Sequence, residues 1–207
     1  CVGRIPVDLA SLPVDLASMS AHKFHAIKGA GALYTRRGVR LLPTQPGIHE
    51  LARRGGTENV PGILAMGAAA HAAAQWLADH SNIPRLAAMR DNLERAILAA
   101  CPWASINARD ATRLWNTTNI AFPQLEAEAL LMKLSEKGVC ASAGAACSSG
   151  SLDPSPVLLA MGIPEPAAHG SLRFSLGRDI TQPELDQAAQ IIASCASALR
   201  DSISGVV

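Results

Sequence analysis

"SAHKFHAIKGAGALY", residues 20–34, sets Lys23 between two histidines and then places Gly29 and Gly31 just ahead of an apolar run. The residues before it, "VDLASMS" (14–20), have the length and composition of a short buried strand. "GAGALYTRR" (29–37) reads as a second strand, beginning at glycines that permit close backbone approach. Lys23 thus lies at the end of one strand and just ahead of another. A buried lysine is costly as an ammonium, and desolvation makes its neutral amine available as a nucleophile toward a carbonyl. Schiff-base chemistry with an aldehyde cofactor needs such an amine. Ser20 and His22 can donate hydrogen bonds to a phosphate, and the two glycines let backbone N–H groups approach an anion. The plain alternative is a surface lysine at a strand end, and spacing alone does not choose between the two.

Outward from this stretch, "GGTENVPG" (55–62) is turn-like, with Thr57 or Asn59 placed to cap the next element. "ILAMGAAAHAAAQWLADH" (63–80) predicts a helix, "SNIP" (81–84) interrupts it, and "RLAAMRDNLERAILAA" resumes with apolar residues at helical spacing. A domain boundary is expected at this break, giving residues 1–80 and 81–207. Beyond it come short strands "WASIN" and "TTNIAF", a helix "EAEALLMKLSEKG" stopped by Gly138, and a strand "VCAS". A small-residue loop "AGAACSSGS", a helix "PVLLAMG" and a strand "SLRFSLG" come next. A last helix opens with the capping pattern Thr181-x-x-Glu184. Strands alternating with helices imply an α/β layered architecture.

The chain has 207 residues, 49% hydrophobic and 17% charged, enough to bury a sizeable core as one large or two small domains. Net charge is +1 with basic residues scattered, so composition argues for neither nucleic acid nor an anionic membrane surface as partner. No apolar run approaches the roughly 18 residues of a spanning helix, and the opening "CVGRIPVDLA" lacks a signal-peptide layout. The cytoplasm is the expected compartment. The chain opens on cysteine, at what reads as the end of an element, so a fragment of a longer protein is expected. Five cysteines, Cys1, Cys101, Cys140, Cys147 and Cys195, contain no C-x-x-C pair and suit neither a disulfide framework nor a zinc site.

Two further stretches carry chemistry. In "CASAGAACSSGS" (140–151), Cys147 lies among alanine, glycine and serine, where a thiol is expected to be mobile and accessible, able to act as a nucleophile. A small residue in a tight turn is the plain alternative. Cys140 and Cys195 fall in apolar strand-like and helical context and read as packing residues. In "HGSLRFSLGRD" (169–179), alternation puts Arg173 and Ser175 on one face of a strand and Leu172, Phe174 and Leu176 on the other. An arginine so presented suits bidentate grip of a carboxylate, and a surface salt bridge is equally compatible with the pattern.

Taken in order, "SAHKFHAIKGAGALYTRRGVR", "RRGGTENVPGI", "SAGAACSSGSLDPS" and "SLRFSLGR" resemble the signature segments of the cysteine desulfurases of the NifS/IscS type. The resemblance covers essentially the whole chain. It implies α/β architecture of the pyridoxal 5'-phosphate-dependent transferase fold type I, with an incomplete large cofactor domain to about residue 80 and then a complete small C-terminal α/β domain. It implies a homodimer converting L-cysteine to L-alanine and leaving sulfur on an enzyme cysteine as a persulfide. Lys23 matches the lysine that holds the cofactor aldehyde, Ser20 and His22 match phosphate-binding positions, and Thr57 matches the threonine that reaches the phosphate of the other subunit. Cys147 matches the persulfide cysteine and Arg173 the arginine that holds the substrate carboxylate. The implied partners are sulfur acceptors, such as an iron-sulfur scaffold or tRNA-thiolation factors.

The family also carries, ahead of the point where this chain begins, an aspartate for the pyridine nitrogen, a glutamine near the ring oxygen and a histidine stacked on the ring. None has a counterpart here, so the isolated polypeptide is expected to lack useful desulfurase activity. Competing readings are a selenocysteine lyase or other class V aminotransferase relative, and a noncatalytic chain that dimerises or docks to sulfur acceptors.

Overall fold

The computed structural model describes residues 1–143 and 154–204. They divide into two compact units, Cys1–Ile83 and Pro84–Val207.

In the first unit, β1 (Leu16–Ser20) pairs antiparallel with β2 (Gly31–Thr35), Leu16 opposite Thr35 and Ser20 opposite Gly31. A single 3-10 turn, Ala21–Phe24, leaves the end of β1. Gly31 is glycine for a steric reason: a Cβ there would stand 2.8 Å from the Met19 carbonyl oxygen. After β2, α1 (His49–Ala52) is one left-handed turn, with Glu50, Leu51 and Ala52 at φ of 51°, 59° and 62°. It is closed by reciprocal backbone bonds between His49 and Arg54 of 3.0 and 3.2 Å. α2 (Val60–Ala78) follows and packs on the 3-10 turn. Its cap is Asn59, whose Oδ1 accepts from the Gly62 amide at 3.2 Å, and Thr57 lies outside the helix. The buried apolar residues of this unit are Ala21, Phe24 and Ala73.

The interruption between the long helices is shorter than "SNIP" suggests. Asp79 Oδ1 accepts from the Ser81 amide and hydroxyl at 3.0 and 2.6 Å, and α3 (Asn82–Ala100) starts at once. Pro84 sits in its first turn, where no backbone donor is needed.

The second unit is an antiparallel sheet in the order β3 (Ser105–Ile106), β4 (Thr117–Ala121), β6 (Ser171–Ser175), β5 (Ser142–Ala143). Ile120 stands opposite Leu172 and Thr118 opposite Phe174, all buried. α4 (Ala127–Glu136) packs on β5, β6 and α7 (Gln182–Ser204). Leu130 and Leu134 of α4 and Ile192 and Ala196 of α7 lie in the core, as do Leu86, Leu93 and Ile97 of α3. α5 (Pro156–Ala160) and α6 (Glu165–His169) precede β6; α6 was not anticipated from the sequence.

The expected strand "VCAS" is displaced. Gly138, at φ +79°, donates to the Ser135 carbonyl at 3.0 Å, and Val139 reaches back to the Leu134 carbonyl at 2.9 Å. This Schellman closure keeps Val139 tied to the end of α4, so pairing with β6 begins only at Ser142. Cys140 is therefore exposed and not packed, and Cys195 is half-buried.

Candidate active site

The turn after β1 is held from below. Ala21 and Phe24 point into the first unit's core, and the Ala21 amide donates to the Ala30 carbonyl at 3.1 Å. The chain leaves the turn through His25 in the left-handed region, φ 77°, and the Ala26 amide closes back on the Ala21 carbonyl at 3.2 Å. With positions 21 and 24 committed to packing, 20, 22 and 23 are left to project outward, and Ser20, His22 and Lys23 are all exposed. Of the two readings the sequence leaves open for Lys23, a buried amine or a surface lysine at a strand end, the exposed one is observed in this chain. Ser20 occupies the N-cap position of the turn, but its hydroxyl makes no capping bond and remains available as a donor. Three polar side chains, one of them an amine, thus occupy four consecutive positions on a rigid base. That donor set suits an anionic group bearing a carbonyl.

Asn59 ties this region to α2. While its Oδ1 caps the helix, its Nδ2 donates to the Gly29 carbonyl at 3.0 Å. Gly29, at φ +95°, and the buried Gly62 pack against the same amide, and Gly62 has no room for a Cβ beside it. The sequence marked Asn59 only as a possible cap; its second bond is long-range and leaves no local signal.

Thr57 is exposed, between Gly56 at φ +90° and Glu58. Glu58 draws His49 Nδ1 to 3.6 Å and Arg54 Nη1 to 3.5 Å. Around this loop Leu42, Ile48 and Leu51 are 94%, 87% and 86% exposed.

Arg173 belongs to the second unit, and the alternation expected around it is observed: Leu172, Phe174 and Leu176 are buried while Arg173 and Ser175 face outward. Across the ladder Arg173 has Asn119 on one side and Ser142 on the other. The register that makes Asn119 its neighbour is not readable from either strand alone. Cys147 lies outside the described residues.

Burial pushes the Cys101 thiol up from its ordinary range, which suits a packing residue. Arg113 is held above its usual value by a two-pronged pair with buried Glu94, at 2.7 and 3.2 Å. Among the described residues no group of histidine, cysteine and carboxylate side chains is arranged to hold a metal ion. No described helix is long and apolar enough to cross a membrane.

Residues 1–188 match the aminotransferase class-V model, and the chain belongs to that family. It is 48% identical over 200 residues to cysteine desulfurase 2 of Trichormus variabilis, covering 96% of this chain and 50% of that protein. Cysteine desulfurase NifS of Azotobacter vinelandii is 45% identical over 201 residues, with 97% and 50% covered. A solved NifS-like protein superposes with a TM-score of 0.83 at 32% identity, over 96% of this chain and 51% of that one. The architecture is thus that of the NifS-like, fold type I proteins. The chain spans about half the length of the curated relatives it matches.

Proposed function

We propose that this chain carries part of a cysteine desulfurase, with Lys23 as the residue that attaches pyridoxal 5'-phosphate. The observation that carries the reading is the braced turn with Ser20, His22 and Lys23 exposed side by side, in a chain 48% identical to a cysteine desulfurase. Residues 1–80 are read as the end of the large cofactor domain and 81–207 as the small domain. When bound, the cofactor supplies an aldehyde to capture the substrate amine and an electron-withdrawing ring that stabilises charge at the substrate Cα.

Ser20 Oγ and His22 would donate to its phosphate, and the Lys23 amine would move the proton at the substrate Cα. Arg173 grips the substrate carboxylate through two parallel N–H donors. Cys147 Sγ, as thiolate, attacks the substrate sulfur. An S–S bond forms as the substrate C–S bond breaks, the bonding pair stays on carbon, and protonation there releases L-alanine. The persulfide then passes to a sulfur-acceptor protein, of the kind that serves iron-sulfur assembly or tRNA thiolation, in the cytoplasm.

The reading includes a homodimer. Leu42, Ile48 and Leu51, nearly bare in the loop that carries Thr57, support a contact with a second copy, in which Thr57 reaches the partner's phosphate. The high identity to desulfurases does not favour the selenocysteine lyase alternative.

The test joins the chain to the region its relatives carry beyond it, adds pyridoxal phosphate, reduces with borohydride and maps the label by peptide mass. The label is expected on Lys23 and absent in Lys23→Ala, with sulfide release from L-cysteine lowered about 100- to 10,000-fold. Cys147→Ala keeps the label and loses persulfide. Label on another lysine, or normal turnover by Lys23→Ala, would overturn the assignment.

A further inference from the structure

A row of polar side chains crosses the second sheet, and its hydrogen bonds have a direction. Asn119 stands opposite Arg173, and Ser142 stands opposite Arg173 on its other flank. Asn107, one residue past β3, extends the row through the bond from its amide to the Asn119 carbonyl, 2.9 Å. Exposure rises along it: Asn107 is buried, Asn119 half-buried and Arg173 open.

The direction comes from one end. The Ala167 carbonyl can only accept, so Ser171 Oγ, 2.7 Å away and itself buried, spends its one proton there. Ser171 then offers only lone pairs to Asn107, which must turn its Nδ2 toward it at 3.0 Å. The second N–H of that amide reaches the Asn119 side chain at 2.6 Å, and only an oxygen can meet it. Asn119 therefore shows its Oδ1 to Asn107 and keeps both Nδ2 protons for the other side of its strand, where Arg173 lies. Side chains directly opposed in such a ladder have Cβ atoms about 4.5–5.5 Å apart. Among the described residues neither Asn119 Nδ2 nor the Arg173 guanidinium has an acceptor or carboxylate partner. Two donor-only groups thus stand side by side among the described residues, a pairing that suits one shared anion.

We propose that Asn119 is a second donor to the substrate carboxylate beside Arg173, and that Asn107 and Ser171 are positioning residues that fix its amide. The inference rests on the reading of Arg173 as the carboxylate-binding residue and deepens it. A carboxylate oxygen has two lone-pair directions, so one can take a guanidinium N–H and the same oxygen a proton of Asn119. An aspartate at 119 would repel the ligand and a lysine would repel Arg173, whereas an amide adds donors without charge.

The experiment is steady-state kinetics with L-cysteine on the chain joined to the region its relatives carry beyond it, for Asn119→Ala, Asn107→Ala and Arg173→Ala. Asn119→Ala is expected to raise KM about 10- to 100-fold, the value of one bond to a charged group, with kcat little changed. Asn107→Ala, remote from substrate, is expected to raise KM less but in the same direction, and the double variant to add little beyond Asn119→Ala. A merely structural role would instead lower thermal stability or kcat and leave KM in place. If Arg173→Ala raises KM and Asn119→Ala does not, the carboxylate site stands and the role of Asn119 is overturned. If Arg173→Ala leaves KM unchanged, the carboxylate reading falls and this inference with it.

Discussion

α4 has ten residues and puts Leu130 and Leu134 entirely out of water; α2 has nineteen and buries Gly62 and Ala73. The contrast extends to the units that hold them. In the second, both strands of the central pair send Ile120, Leu172 and Phe174 into a core closed by three helices. In the first, Leu16, Leu33, Ile63 and Leu64 stay exposed together with the loop leucines and Ile48. A helix apolar on every side is written for burial on more than one side, and that describes α2. Each such leucine or isoleucine would gain about 1.5–3 kcal/mol on full burial. We propose that a second copy and the region its relatives carry cover the first unit's apolar surface.

The sharpest way to break this contrast is a pair of truncations. Leu130→Ala, in the closed core of the second unit, is expected to cost about 2–5 kcal/mol in denaturant unfolding. Leu42→Ala, at 94% exposure in a single copy, is expected to stay within about 0.5 kcal/mol when unfolding is followed at dilutions where the chain is monomeric. A comparable loss at Leu42 would show that the first unit's surface is already covered in solution. A smaller effect, of opposite sign, is expected inside the packed unit. Thr118 is 1% exposed and its Oγ1 has no hydrogen-bond partner among the described residues. Thr118→Val keeps the shape and removes the stranded hydroxyl, so stability should rise by about 1 kcal/mol. A loss instead would mean that the hydroxyl is satisfied.

How much the sequence disclosed depends on the range of each interaction. The places of β1, β2 and α2 and the outward face of Arg173 were legible because periodicity and turn residues act over a few positions, but the burial expected of β1 is not observed, since none of Leu16–Ser20 is buried. The cap of α7 was legible for the same reason: Thr181 and Glu184 are three residues apart. β5 was misplaced because the Val139 bond to Leu134 extends the helix end past its glycine. The exposure of Lys23 was left undecided because it depends on which neighbours the turn commits to the core, Ala21 and Phe24. The clamp from Asn59 to Gly29 and the pairing of Asn119 with Arg173 span thirty and more residues, and single-chain patterns carry no register.

α2 and α7 also differ in how they begin, and this gives the mildest test of the comparison. Asn59 starts α2 with a neutral amide, whereas Glu184 starts α7 with a carboxylate that accepts from the Thr181 amide and hydroxyl, both at 2.7 Å. Those two bonds hold the Glu184 carboxyl below its ordinary 4.5. A carboxyl whose folded pKa is lowered contributes its full stability above the unfolded value and loses it as pH falls through the folded one. The effect is small because Glu184 is exposed to solvent. Amide exchange at Thr181, compared between the wild type and Glu184→Gln, should show the wild type better protected at neutral pH and the two converging as the medium is taken below 4.5. The Gly62 amide at the start of α2, whose acceptor carries no titrating charge, should show no such acid-dependent change. If the difference at Thr181 persists in acid, the cap works through shape and not through charge, and the two helix starts are alike after all.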